Sequence, residues 1–229
     1  MARRRKTFLE LASIKDKQFF CSWSGGKDCT LALFRAVNRG GIPNTLLTML
    51  TEDGTRSRAH GLPLSFIKSQ ADSLGLSLVT RSTSWDDYEG SFISALAELR
   101  EGGIEAGVFG DIDLGEHREW VERVCAEVGI EAYLPLWKED RKSLMTDLLS
   151  YGFNAVIISV KDGTLEQDML GRELNQKLVK ELDLQGIDVS GEAGEYHTAV
   201  TSGPLFSKPL PLRTKGKVLR DGYWVLDVE

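Results

Sequence analysis

Residues 18–30 read QFFCSWSGGKDCT. Gln18–Trp23 is short, apolar and aromatic and ends at a glycine turn, which predicts a buried strand. Leu31, Phe34 and Val37 then recur at helical spacing until Gly40–Gly41. Between strand and helix stands Ser24-Gly25-Gly26-Lys27-Asp28-Cys29. Two glycines let the backbone turn sharply and bring its N–H groups close to an anion. The opening turn of the helix adds unpaired N–H donors and the positive end of its dipole, so the segment is predicted to be an anion pocket. Ser24 offers a hydroxyl and Lys27 a positive charge. Asp28 would repel a bare phosphate, so it is expected to cap the helix or to hold Mg2+ indirectly. The spacing is neither the mononucleotide GxxxxGKS/T nor the dinucleotide GxGxxG.

Downstream the alternation repeats. Strands are predicted at Thr45–Leu50, Leu76–Thr80, Ala106–Phe109, Ile130–Leu134 and Phe153–Val160. Helices carry the stripes Phe66, Ile67, Ala71 and Leu74; Trp85, Tyr88, Phe92, Leu96 and Leu99; Trp120, Val121, Val124 and Val128; and Leu144, Leu148 and Leu149. Trp85, Trp120 and Cys125 are expected in the core. Strand–helix units joined by short loops give an α/β fold, a Rossmann-like parallel sheet with helices on both faces. Ligands then collect beyond the carboxyl ends of the strands. After Val160 the pattern changes. Leu165, Met169, Leu170, Leu174, Leu178 and Leu182 predict one amphipathic helix, followed by a glycine-rich polar stretch and the weakly alternating Lys217–Val228. The expected organisation is a nucleotide-type domain over 1–160 and a smaller C-terminal α+β unit over 161–229.

Composition limits the partners. The 229 residues are 41% hydrophobic and 27% charged, an ordinary globular mix. No apolar run approaches the roughly 20 residues of a membrane span. The basic start MARRRKTF is followed by no signal-like apolar core of about 7–15 residues, so it reads as a solvated tail. A net charge of −6 speaks against a nucleic-acid partner. Cys21, Cys29 and Cys125 form neither a CxxC pair nor zinc-finger spacing, which fits a reduced, cytoplasmic compartment.

SGGKDC resembles the SGGxDS signature of PP-loop ATP pyrophosphatases. The likeness continues through AHGLP (Ala59–Pro63), LGLSL (Leu74–Leu78), VFGDI (Val108–Ile112), RVC (Arg123–Cys125), LPLW (Leu134–Trp137), GFNAVIISV (Gly152–Val160), GEAGEYHT (Gly191–Thr198) and GPLF (Gly203–Phe206), in the order of the diphthine–ammonia ligase family. The resemblance implies an adenine nucleotide alpha-hydrolase-like fold with ATP and Mg2+ as cofactors. It implies cleavage of ATP to AMP and pyrophosphate, and amide formation from a small-molecule or protein-borne carboxylate, with ammonia as the nucleophile. ATP would be held by Ser22, Ser24, Gly25, Gly26, Lys27, Asp28, Cys29, Met49, His60, Gly110 and Asp111, with Mg2+ at Asp28. Two positions depart from the pattern. Cys29 stands where the family usually has Ser, and a thiol donates weakly. His197 stands where diphthine ligases resemble GGEYE with an acid. The histidine form resembles a paralogous, mostly bacterial branch, which implies a different acid substrate. A homo-oligomer is left open. Alternatives are a tRNA-modifying PP-loop enzyme, which would call for paired cysteines or a basic surface, and an ATP-binding module without chemistry.

Glu192, Gly194, Glu195, Tyr196 and His197 are the candidate substrate segment. His197, with an ordinary pKa of about 6.5, is suited to accept a proton near neutrality. Lys27, Asp28, Glu195 and His197 are the candidate catalytic set.

Overall fold

Phe19, Phe20 and Cys21 are all fully buried, yet successive strand side chains point to opposite faces, so the strand they form must be covered on both sides. A computed structural model describes residues 13–229. The basic segment read as a tail lies outside the described residues. β1 (Gln18–Ser22) is the centre of a parallel sheet with β2 (Ile42–Leu50), β3 (Ser77–Ser82), β4 (Ala106–Val108) and β5 (Glu131–Tyr133), in the order β3-β2-β1-β4-β5. Phe19 and Cys21 face a core shared with α1 (Lys27–Asn38), α2 (Leu64–Leu74) and α5 (Arg141–Ser150). Phe20 faces the other core, built on α3 (Tyr88–Glu101) and α4 (Gly115–Glu127), and meets Phe109 edge-on at 5.7 Å. Cys125 is fully buried there, as expected. The α/β fold with helices on both faces is therefore present.

The order places β1 beside β4, where the chain switches from one side of the sheet to the other. Loops leaving these two strands splay apart and open a crevice at their carboxyl ends. The loop Trp23–Gly26 leaves β1 and Phe109–Leu114 leaves β4.

A second, antiparallel sheet has the order β7-β6-β9-β8, from β6 (Asn154–Lys161), β7 (Tyr196–Ser202), β8 (Thr214–Arg220) and β9 (Tyr223–Val228). Two readings change here. The strand expected over 153–160 as part of the first unit is β6, and it pairs with β7 and β9. Its apolar run is buried on both faces in either sheet, so periodicity carries no information about which sheet it joins. The single helix expected from Leu165 to Leu182 is divided into a 3-10 turn at Gln167–Met169, an extended crossing and α6 (Gln176–Leu184). Gly171 at φ 87° breaks the helix, and Asn175 starts a new one by accepting from the Leu178 N–H at 2.9 Å. The crossing bonds to β6 instead, with Gly171 N to Ile157 O at 2.9 Å and Leu174 N to Ala155 O at 2.8 Å. All six apolar residues of the stripe are still buried.

Trp85 is not in the core. It is 70% exposed, ahead of α3, stacked on Tyr88 and under the Arg58 guanidinium at 4.7 Å. Among the described residues no helix is long and apolar enough to cross a membrane.

Candidate functional site

The loop after β1 is held by a polar contact set that joins the two sheets. Gln70, fully buried on α2, accepts from Trp23 Nε1 at 2.9 Å and donates to Gly25 O at 3.0 Å and Val200 O at 2.8 Å. Val200 N donates to Gly25 O at 2.9 Å. Strand β7 thus runs along the glycine loop, and Thr198 Oγ1 accepts the Lys27 N–H at 3.1 Å. Neither Gln70 nor Thr198 was assigned a role from sequence. The available signal was a polar residue on the buried face of a helix, beside Phe66, Ile67 and Ala71.

Gly26 is the N-cap of α1 and has no side chain to cap it; of the opening N–H groups, that of Lys27 is taken by Thr198 Oγ1. The φ of Gly26, −95°, is ordinary; what requires glycine is space. A Cβ there would lie 2.3 Å from His60 Cε1 and 2.8 Å from His60 Nδ1. Gly110, after β4, sits against the Asp28–Cys29 peptide, where a Cβ would come within 2.8 Å. The expected cap role of Asp28 is not seen: its carboxylate takes Lys27 Nζ at 2.7 Å instead. Lys27 is only 5% exposed, with its ammonium 5.7 Å from the Tyr196 ring centre. Burial works against that charge, but Asp28, Tyr196 and Glu192 outweigh it and hold the lysine above its usual range, so it stays cationic.

Lys27, Asp28, His60, Gly191, Glu192, Gly194, Tyr196, His197 and Thr198 converge on one cavity of about 190 Å³, to which Leu114 and His117 add the far wall. Burial, reinforced by Asp28, lifts the Glu192 carboxyl to about 7, although Lys27 and Arg141 pull the other way. His197 moves in the opposite direction. Burial and then Lys27 push it down to about 4, so it is neutral at pH 7 and a weaker proton acceptor than its ordinary value suggested. His60 is also held low, first by burial and then by His197. Its Nδ1 lies 3.0 Å from Thr198 O. A carbonyl only accepts, so the neutral ring carries its proton on Nδ1 and leaves Nε2 bare.

Other expected residues lie around this cavity rather than in it. Ser24 Oγ donates to Cys29 Sγ at 3.4 Å, and that thiol turns inward onto Gly26 O at 3.2 Å. Burial pushes Cys29 up, opposite to what a reactive thiolate needs. Ser22 is half-buried at the end of β1. Met49 is buried, and its carbonyl accepts Arg58 N at 2.9 Å. Asp111, lifted by burial, faces His117 Nδ1 at 3.3 Å. Glu195 is half-buried, and its Oε2 has no hydrogen-bond partner among the described residues.

The segment carrying Glu192 is positioned by residues that sequence reasoning missed. Arg141, at the start of α5, grips Asp113 through Nε and Nη2 at 2.9 and 2.8 Å and reaches Asp188 with Nη1. Asp188 accepts the N–H groups of Ser190 at 3.0 Å and Glu192 at 2.9 Å. One guanidinium thereby ties the loop after β4 to the loop that brings Glu192 opposite Lys27. Among the described residues no three His, Cys, Asp or Glu side chains form a metal cage. Mg2+ is commonly held by one or two carboxylates together with phosphates, and Asp28 fits that pattern.

Comparison with known proteins agrees along the chain. Residues 18–132 match the model of the diphthamide synthase N-terminal domain, and residues 140–227 match that of its C-terminal domain. The chain is 30% identical over 214 residues to diphthine–ammonia ligase of Schizosaccharomyces pombe, covering 84% of this chain and 35% of that protein. It is 26% identical over 211 residues to the Danio rerio diphthine–ammonia ligase, covering 82% of this chain and 83% of that protein. The chain thus spans about a third of the fission-yeast relative's length. A solved structure from Methanocaldococcus jannaschii, described as a predicted subunit of tRNA methyltransferase, aligns with 84% of this chain and all of its own at 17% identity and a TM-score of 0.44.

Proposed function

This chain belongs to the diphthine–ammonia ligase (diphthamide synthase) family, and on that premise we propose that it is an ATP-dependent ligase that activates a carboxylate as its adenylate and converts it to an amide. The observation that carries this reading is the buried ammonium of Lys27 in the first turn of α1, at the switch point of the sheet and facing Glu192. Helix N–H groups, Lys27 and Mg2+ at Asp28 would stabilise charge on the phosphates. In the first half-reaction a carboxylate oxygen bonds to the α-phosphorus, the α–β bridge bond breaks, and pyrophosphate leaves. In the second, ammonia attacks the acyl carbon, AMP leaves with the bonding pair, and the nitrogen gives up a proton. Glu192, ionised above about pH 7, is the proton acceptor this site supports best. His197, neutral and beside His60, would shape the acyl pocket, and its place in the motif supports an acid other than diphthine. The test is incubation with ATP, Mg2+, ammonia and a panel of acids. Acid-dependent AMP and pyrophosphate are expected, and ADP with orthophosphate would overturn the reading.

A pH prediction follows from Glu192. A carboxyl lifted from 4.5 to about 7 in the fold is protonated below that value and becomes an effective base above it. Turnover should therefore rise through about pH 7, and Glu192→Gln should remove that rising limb. Stability should run the other way, because the native state disfavours the ionised form. The contribution is full below the unfolded value and is lost as pH rises through about 7. Thermal unfolding of wild type and variant between these limits checks the sign. Parallel pH dependences in the two proteins would exclude Glu192 as the titrating group.

A further inference from the structure

The His60 and His197 rings lie 4.6 Å apart at 30°, and both line two cavities. On one side is the space of about 190 Å³ with Lys27 and Glu192. On the other is a space of about 310 Å³ between the loop after β2 and the sheet formed by β6 and β9. Tyr223 extends the dividing wall, 5.9 Å from His197, and its hydroxyl reaches Gly194, where an added Cβ would lie 3.1 Å away. Gly194 itself lines the phosphate-side cavity, so that hydroxyl stands at the seam between the two. Leu62, Ile158 and Val225 supply apolar lining in the larger space.

One side of it is cationic. Arg56 Nη2 and Arg220 Nη2 both donate to Oδ1 of Asp227, at 2.9 and 3.1 Å. Two guanidiniums on one carboxylate leave a positive charge over. Arg56 Nη1 also donates to Gly61 O at 2.9 Å, next to His60, and Arg220 pairs with Tyr223 across β8–β9, so both arginines border the histidine wall. Asp221, the one acid among the described residues of the lining, is exposed at the β8–β9 turn. The Arg58 guanidinium is turned away, toward the Thr83 carbonyl and Trp85.

We propose that the larger cavity holds the acyl substrate, and that this substrate is a small organic acid carrying a second anionic group. The reacting carboxylate lies at the His60–His197–Tyr223 wall, and the second anion lies at Arg56 and Arg220. The proposal deepens the ligase reading and rests on it for the first end. Volume and charge carry the rest. The space matches a small-molecule site, whereas ammonia needs no more room than a water, about 30 Å³. A guanidinium fork is matched to carboxylate geometry.

The experiment uses adipate as the dianionic probe, with hexanoate and betaine as the singly charged and zwitterionic comparators. Binding is followed by titration calorimetry and by the ring signals of His60, His197 and Tyr223 in NMR spectra. Adipate is expected to shift those signals and to bind at least about tenfold more tightly than either comparator. Arg56→Gln, and separately the more exposed Arg220→Gln, should reduce adipate to the level of hexanoate. Equal affinity for the three probes, no ring shifts at about 20 mM adipate, or unchanged binding by both folded arginine variants would overturn the proposal. Lys27→Ala should lose ATP-analogue binding and keep adipate binding. Wild-type protein that binds an ATP analogue but not adipate sinks the cavity assignment alone, and the converse sinks the ligase reading alone.

Discussion

Lys27→Met is expected to lower acid-dependent pyrophosphate release by about 10²–10³-fold, the range found when one preorganised charge-stabilising donor is removed from an active site. Lys27 is 5% exposed and borders the cavity shared with Glu192 and His197. A cation held in such a place, away from bulk water, acts on developing phosphate charge at low effective dielectric. Methionine keeps most of the apolar stem, so the variant should still fold, although Asp28 loses the partner it holds at 2.7 Å. Lys27→Arg should not rescue. The ammonium sits between Asp28 and the Tyr196 ring, and a planar guanidinium presents a different volume and donor set there. A second readout separates loss of charge from loss of structure. Lys27 draws Glu192 down, so its removal should move the rising pH limb of any residual turnover to higher pH. A variant that retains more than about a tenth of wild-type turnover would show that Lys27 does not serve the reacting phosphates.

The glycine turn between β1 and α1 was legible because its signals are local. A buried strand, two glycines, a lysine and a helical stripe occupy twenty residues, and each constrains the backbone without help from elsewhere. The parallel sheet was legible for a similar reason, since every strand is followed by its own amphipathic helix. What sequence reasoning missed depends on long-range partners. Gln70 reads as one polar residue in an apolar stripe until β7 supplies the Val200 carbonyl. Arg141 reads as a surface arginine until Asp113 and Asp188 come to it from either side. The protonation of His197 and Glu192 follows from burial and from neighbours on other elements, so spacing alone left His197 at its ordinary value and gave Glu192 no particular one. Trp85 fell on a helical period that begins only at Tyr88, and periodicity does not report where a helix starts.

Gly26→Ala should be the most damaging methyl group that can be added to the loop without straining the backbone. Gly25 adopts φ 85°, so alanine there combines conformational and steric cost, whereas Gly26 at φ −95° isolates the steric one. The new Cβ would stand 2.3 Å from His60 Cε1 and 3.2 Å from the Thr198 carbonyl. Backbone cannot move away easily on the Thr198 side, because Thr198 also takes the Lys27 N–H at 3.1 Å and lies in β7. The imidazole must therefore leave the Thr198 carbonyl and its place against His197. Expected consequences are a loss of about 1–3 kcal/mol in stability from overpacking and a fall in turnover larger than that loss explains. The common wall of the two cavities is displaced together with the helix start. Gly90→Ala is the control. Gly90 lies within α3 with nothing within 4 Å of an added Cβ, so alanine there should stabilise by about 0.5–1 kcal/mol and leave turnover unchanged. Denaturant titration and pyrophosphate release on both variants decide the matter. If Gly26→Ala matches Gly90→Ala in turnover, the close seat of His60 on the glycine loop has no part in the reaction.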